Sequence, residues 1–300
     1  MIYKSGFVNI IGFPNVGKST LINSLVKKNI SIVTKKAQTT RHRIIGLLEE
    51  ANYQIVFSDT PGIMKQQNIL IQKMMMKYVK KSIEDADIIL FITEIGKYMI
   101  LHDEYMNMFT YLKQQDIPII ILINKIDKIG LYCYDNNIIH KTINFWNKLF
   151  PCSDILPISA LKNINKEFLI QKIVNLLSEH PPFYPKEWIS DRSQRFFVNE
   201  IIREQIYYLY NQEIPYSSEV MTNMFKEKND NIDISSIIYV EKHSQKIILN
   251  GHHGLSLNRL QRESKKSIKN FFNKQINISI KILVLKNWRS DYYKLKYFGY

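Results

Sequence analysis

The sequence predicts a two-part chain: an α/β domain, with a mainly parallel sheet and helices on both faces, followed by a smaller α+β domain. Three observations carry this. Apolar, strand-sized runs alternate with helical segments up to about residue 178, the pattern of a parallel sheet covered by helices. A glycine-containing turn, Gly12-Phe13-Pro14-Asn15-Val16-Gly17-Lys18-Ser19, sits between the first strand and the first helix. Pro181-Pro182-Phe183-Tyr184-Pro185 then breaks the rhythm, because closely spaced prolines cannot continue a helix and favour an extended connector.

Taken in order, Phe7–Ile11 reads as a buried strand entering the turn and Thr20–Val26 as the helix leaving it. Arg43–Leu48 and Gln54–Asp59, joined by a short polar link, read as a hairpin that puts one antiparallel strand at the sheet edge. A helix over Leu70–Ile83, a strand over Ile88–Glu94, a helix over Glu104–Gln114 and strands over Ile117–Asn124 and Asp154–Ser159 continue the alternation. Beyond the prolines, Gln194–Leu209 has helical periodicity, and Ser236–Glu241 and Gln245–Leu249 read as strands. A helix over Leu255–Phe272 and a strand over Ile276–Val284 complete the second part. The expected division is 1–180 for the first domain, 181–192 for the linker and 193–300 for the second domain.

At 45% hydrophobic and 23% charged residues, the composition is that of a folded chain and excludes a disordered one. Apolar runs such as Ile117–Ile123 are strand-sized, far short of the roughly 20 residues that span a bilayer. Cys133 and Cys152 form neither a metal motif nor a disulfide framework, and the histidines lack ligand spacing, so a reducing cytoplasm is the expected home. The net charge of +14 favours a polyanionic partner. Residues 1–180 carry 22 Lys/Arg against 15 Asp/Glu and residues 181–300 carry 19 against 12, so each part is +7 and the shorter one is denser in charge. Arg259 to Lys286 holds eight basic residues and one acidic residue, Glu263.

The turn at residues 12–19 spells G-x-x-x-x-G-K-S, a loop that wraps backbone N–H groups around the phosphates of a nucleotide. Gly12 and Gly17 permit its tight path, Asn15, Val16 and Thr20 complete the expected phosphate-facing backbone, and the following helix directs its positive end at the anion. Lys18 is expected on the β- and γ-phosphates and Ser19 on Mg²⁺. Asp59-Thr60-Pro61-Gly62 ends the third strand. There Asp59 would hold Mg²⁺ through water, and the Gly62 N–H would reach the γ-phosphate. In the polar loop Gln38-Thr39-Thr40-Arg41-His42-Arg43, a threonine hydroxyl would complete the metal shell when the γ-phosphate is present, with Thr40 preferred over Thr39. Lys18, Thr40 and Gly62 are thus the expected catalytic set, and Ser19, Thr40 and Asp59 the metal set. Ile63 occupies the position where Ras-like enzymes carry a water-orienting Gln. An aliphatic side chain cannot hydrogen-bond the attacking water, so intrinsic hydrolysis should be slow.

Asn124-Lys125-Ile126-Asp127 follows an apolar strand and selects guanine over adenine. Asp127 accepts from the ring N1–H and the exocyclic amine, a donor pair adenine lacks, while the Lys125 stem packs along the ring. Asn124 ties the loop to neighbouring backbone, and Ser159-Ala160 supplies a loop whose backbone N–H meets the guanine carbonyl. A carboxylate left unpaired by the wrong base is costly, and this disfavours an ATPase.

In the second part, Asn250-Gly251-His252-His253-Gly254 contains G-x-x-G ahead of a basic helix. In a KH domain such a loop clamps the backbone of single-stranded RNA at a helix N-terminus, beside an apolar groove for the bases. Gly251, His252, His253 and Gly254, with Arg259 and Arg262 nearest the loop, are the expected RNA-binding residues.

G-x-x-x-x-G-K-S, T-T, D-T-P-G, N-K-x-D and S-A in this order resemble a translation-factor-related GTPase. The detail of Gln38–Arg43, Asp191–Phe196, Glu200–Glu204, Ile214–Ser217, Asn287–Arg289 and Phe298–Tyr300 resembles the Era family of ribosome-assembly GTPases across essentially the whole chain. The resemblance implies a P-loop GTPase domain and a type II KH domain, with GTP/GDP and Mg²⁺ as cofactors. It further implies as partners the 3′ region of small-subunit rRNA and the precursor of the small ribosomal subunit, and a monomeric, cytoplasmic protein. Lys is common inside the family's G-x-x-G loop, whereas His252 and His253 here supply less fixed charge. The basic run Lys73–Lys81 admits a membrane-surface helix, which would add a peripheral inner-membrane fraction, or a switch helix with a solvated basic face; the second is favoured. The alternative function is a regulatory GTPase acting on a membrane-associated or protein partner, with the KH-like module as a scaffold.

Overall fold

The computed structural model describes residues 3–64, 67–96, 103–131 and 137–300; Cys133 lies outside them. The chain forms two compact units. The first comprises 1–31, 40–67 and 75–191, and the second 32–39, 68–74 and 192–300.

In the first unit, β1 (Lys4–Gly12), α1 (Lys18–Val26), β2 (Ile44–Glu50), β3 (Tyr53–Asp59), α2 (Leu70–Glu84, which belongs to this unit from Met75 onward), β4 (Ile88–Glu94), α3 (Asp103–Lys113), β5 (Ile119–Asn124), α4 (Ile138–Leu149), β6 (Asp154–Pro157) and α5 (Lys166–Leu176) follow one another. The sheet order is β2-β3-β1-β4-β5-β6, parallel except for the β2–β3 hairpin. Buried on both faces, the central strands are apolar without alternation: Ile88 to Ile92 and Ile121 to Ile123 are fully buried. Strand register decides which residues share an edge. Ile10 pairs with Asp59, Gly12 with Ile92, and Glu94 with Asn124, so the turn after β1, Asp59, Glu94 and Asn124 all emerge at the carboxyl edge of one sheet.

The proline-containing segment packs on this first unit. Gln54 Oε1 accepts from the Phe183 and Tyr184 N–H groups at 2.8 and 3.0 Å, Phe183 sits 4.8 Å from the Phe7 ring, and the Leu47 N–H donates to Ile189 O at 3.0 Å. On α2, Met75, Met76, Val79 and Ile83 are buried while Lys77, Lys80 and Lys81 are exposed. The apolar face of the helix is spent on the core, and the basic face meets solvent. Among the described residues, no helix is long and apolar enough to cross a membrane.

The second unit contains α6 (Gln194–Leu209), α7 (Ile214–Ser217), β7 (Glu219–Glu227), β8 (Asn231–Val240), α8 (His243–Asn250), α9 (Leu255–Phe272), β9 (Gln275–Val284) and α10 (Tyr292–Tyr297). Its sheet runs β7-β8-β9, with β8 antiparallel to β7 and parallel to β9, so α8 and α9 form the crossover. Alternate residues of β8, Ile232, Ile234, Ile238 and Val240, are buried against Val198, Ile202, Leu260 and Ile268 of α6 and α9. Arg203 and Glu200, both buried, form an ion pair next to Glu219, whose Oε2 accepts from the Tyr300 hydroxyl at 2.6 Å. Residues 32–39 join this unit through α6: Arg203 Nη2 donates to Thr39 O at 2.9 Å, and the Tyr207 hydroxyl donates to Gln38 O at 3.1 Å.

Two local expectations are corrected. Gln245–Leu249 is helical, within α8, not a strand. Gln245 Oε1 accepts from the Glu241 and Lys242 N–H groups at 3.0 Å, a cap that starts a helix where the apolar run alone fits either structure. Strand β7 has no counterpart among the expected strands; a bulge between Thr222 and Met224 breaks the two-residue alternation that would reveal it.

Candidate nucleotide site and nucleic-acid loop

At the carboxyl edge of the first sheet, the chain turns sharply between β1 and α1. Gly12 has φ 156° and Gly17 φ 106°. A Cβ on Gly12 would stand 2.2 Å from Ile92 O, and one on Gly17 would stand 2.3 Å from Asn124 Nδ2. Only glycine fits either place. The Lys18 ammonium donates to Phe13 O at 2.9 Å and to Gly12 O at 3.3 Å; burial pulls its pKa down to about 8, opposed by the Asp59 carboxylate. Thr20 lies in the first turn of α1.

Three expected metal residues meet at one point. Ser19 Oγ donates to Asp59 Oδ2 at 2.8 Å, Thr40 Oγ1 lies 3.4 Å from the same oxygen, and the two hydroxyls are 3.0 Å apart. Burial pushes the Asp59 carboxyl up, against the lowering influence of Lys18 and of the Ser19, Ser31 and Thr40 hydroxyls. Among the described residues, Asp59 Oδ1 is buried without a hydrogen-bond partner. A carboxylate with one oxygen orphaned and the other met by two hydroxyls is the donor set of a hard, oxygen-seeking divalent ion, and the residues fit Mg²⁺. After Asp59, the Thr60 hydroxyl donates to Ile10 O at 2.8 Å. Pro61 leads into Gly62, where a Cβ would lie 2.9 Å from Pro14 N and Cα. The Ile63 N–H donates to Gly12 O at 3.0 Å, and its side chain is buried.

The loop after β5 is tied on both sides. Asn124 Nδ2 donates to Val16 O at 2.7 Å while Asn124 Oδ1 accepts from the Ala160 N–H at 2.9 Å. Lys125, at φ 67°, donates to Asn15 O at 2.7 Å and pairs with Glu94 Oε2 at 3.0 Å. Ser159 Oγ donates to Asp127 Oδ1 at 2.5 Å, which orients the carboxylate. The structure therefore brings together the residues expected from residues 12–19, Asp59–Gly62, Asn124–Asp127 and Ser159–Ala160, with Thr40 among them, whereas the Thr39 hydroxyl donates to Lys36 O at 2.8 Å and lies 2.9 Å from Thr34 Oγ1. The sequence pattern did not single out Glu94, visible only as a lone acid ending an otherwise apolar strand.

In the second unit, Gly251 to Gly254 link α8 to α9. Gly251 has φ 69° and ψ 179°, and Gly254 has φ 79° and ψ 7°. His252 and His253 are exposed, with ring centroids 4.1 Å apart. Arg259 and Arg262 lie near the start of α9, and Lys265, Lys266 and Lys269 extend the basic face. Ile247 and Ile248 of α8, Leu255 of α9 and Leu283 of the edge strand β9 are exposed apolar residues, and α8 packs against β9. Large apolar groups left in water beside a glycine-framed basic loop mark a binding surface.

Residues 7–125 match the family described as "50S ribosome-binding GTPase" and residues 213–289 match the "KH domain" family. The chain is 37% identical to the chloroplastic ERA-like GTPase of Oryza sativa subsp. japonica, over 99% of this chain and 70% of that protein. It is similar over 99% of its length to a solved structure of Era in complex with MgGDPNP and nucleotides 1506–1542 of 16S ribosomal RNA (33% identity, TM-score 0.92, 99% of that chain). A single-residue variant of Aquifex aeolicus Era bound to GDP·AlF4⁻ matches over the same shares of both chains at 33% identity and a TM-score of 0.91. With 35% identity to the GTPase Era of Nitrosomonas eutropha over 99% of this chain and 98% of that one, the chain belongs to the Era family of GTPases.

Proposed function

We propose that this protein is a GTP-hydrolysing assembly factor of the small ribosomal subunit, which contacts the 3′ region of small-subunit rRNA through its KH loop. The observation that carries the reading is the pairing, in one chain, of two sites. One is the Ser19, Thr40 and Asp59 cluster below a guanine-selective loop; the other is the Gly251–Gly254 turn flanked by exposed apolar and basic residues. The related Era in complex with nucleotides 1506–1542 of 16S rRNA supports the choice of RNA. The same reading takes the protein as a cytoplasmic monomer.

In this mechanism Gly12, Asn15, Val16, Gly17 and Thr20 enclose the phosphates with backbone N–H groups, and Lys18 neutralises β- and γ-oxygens. Ser19, Thr40 and Asp59 would hold Mg²⁺, which supplies charge neutralisation on the phosphate oxygens. Thr60 and Pro61 shape the approach of the Gly62 N–H to the γ-phosphate. Asp127 reads the guanine edge, and Asn124, Ser159 and Ala160 fix its loop. Ile63 offers no hydrogen bond to the attacking water, so turnover is slow until a partner supplies positioning. Thr40 follows Thr39, whose carbonyl is held by Arg203, and this continuity of chain gives the nucleotide state a route to the RNA-binding unit.

The test is Gly254→Asp, which places a negative charge in the loop where a new side chain meets no neighbour within 4 Å. Filter binding to an RNA of nucleotides 1506–1542 should fall at least tenfold while GDP binding is unchanged. Unchanged RNA affinity would reject the KH loop as the RNA clamp and favour the scaffold alternative.

A further inference from the structure

Glu94 ends β4 at the carboxyl edge of the sheet, with its side chain 8% exposed. Its carboxylate faces two cations of the base-recognition loop: Lys125 Nζ at 3.0 Å from Oε2 and Lys128 Nζ at 3.8 Å from Oε1. The same Lys125 ammonium donates to Asn15 O at 2.7 Å. Lys125 and Asn15 both have left-handed backbones, with φ 67° and 61°. Asparagine tolerates that conformation, whereas for lysine it carries a cost that the surroundings of Lys125 have to offset. One ammonium thus ties two left-handed turns, one from the phosphate loop and one from the base loop, and Glu94 anchors that ammonium.

A lysine left to itself is a poor strut, because its flexible stem and compact charge sample many rotamers. The stem of Lys125 has to lie along the face of the guanine ring, and a wandering head group would carry it away. Two fixed acceptors, one of them charged, remove that freedom, and the charged one makes the stronger bond. We propose that Glu94 is a positioning residue for guanine-nucleotide retention, which acts by fixing Lys125 against Asn15. It touches neither base nor phosphate in this role. The inference rests on the guanine-site reading, and wild-type binding of GDP tests that reading separately.

The experiment is a double-mutant cycle on release of a fluorescent GDP analogue, with Glu94→Gln, Lys125→Met and the double variant of the full chain. Glu94→Gln keeps size and removes charge. It should speed release on the order of tenfold, the scale of one charge-assisted hydrogen bond. In the Lys125→Met background the same change should have no further effect. Glu94→Asp, which keeps the charge, should restore part of the retention and serves as the probe if Glu94→Gln does not fold. Release at the wild-type rate from Glu94→Gln overturns the proposal. So does an effect that persists in full without Lys125, or one that vanishes in a Lys128→Met background.

Discussion

Alanine at Gly251 and alanine at Gly254 should differ sharply, although both glycines frame the same loop. At Gly254 (φ 79°, ψ 7°) a Cβ meets nothing within 4 Å, so the substitution carries only the left-handed penalty, about 1 kcal/mol. At Gly251 (φ 69°, ψ 179°) the backbone lies in a region that essentially only glycine occupies, at about 1–3 kcal/mol for any other residue. The new Cβ would also stand 2.2 Å from Ser256 Oγ, 2.7 Å from Ser256 Cβ and 3.0 Å from Ser256 N. Overpacking of this kind adds about 1–3 kcal/mol, for a total of about 2–6 kcal/mol. Ser256→Gly removes the two closest atoms but leaves the backbone conflict, so the Gly251→Ala/Ser256→Gly protein should recover only about 1–2 kcal/mol. Urea unfolding followed by the fluorescence of Trp288, fully buried in the same unit, reads these differences. If Gly251→Ala proved as mild as Gly254→Ala, the geometry assigned to the loop would be wrong.

Three further outcomes concern the two sites. Lys18 is buried, with its pKa lowered from 10.5 to about 8, so the unfolded chain binds more protons than the folded one between those values. The nucleotide-free protein should therefore gain stability as pH rises from about 8 to 10.5, and Lys18→Met should remove that gain in a pH series of thermal midpoints. Replacing exposed His252 and His253 by Lys should tighten RNA binding and steepen the salt dependence. The slope should change by about 0.7 per added phosphate contact, measured by titration at several salt concentrations. Asp127→Asn, which alters the group that accepts from guanine, should shift preference toward xanthine nucleotides in competition binding.

The nucleotide site was legible because its chemistry demands particular residues at particular spacings, and a parallel sheet delivers strand ends to one edge. Gly12 and Gly17 announce positive φ, Lys18 and Asp59 announce phosphate and metal, and Asp127 announces the base. The second domain was legible at its loop and its basic helix, less so around them. Ile247-Ile248-Leu249 reads equally as strand or helix until Gln245 caps α8, and the bulge in β7 hides its alternation. Glu94 stayed hidden because an acid at a strand end looks solvated until Lys125 is found beside it. The attachment of residues 32–39 to α6 depends on side chains far apart in the chain, such as Arg203 with Thr39 O, which no local pattern encodes.

If the GTPase serves an RNA contact made by the Gly251–Gly254 loop, that contact forms in the cell. Ultraviolet crosslinking in cells, with identification of both the protein peptide and the nucleotide, measures it most directly. Crosslinks between the His252–His253 peptide and the 3′ region of small-subunit rRNA, lost in Gly254→Asp, are the expected result. Crosslinks confined to other RNAs, or to peptides outside the second unit, would contradict it.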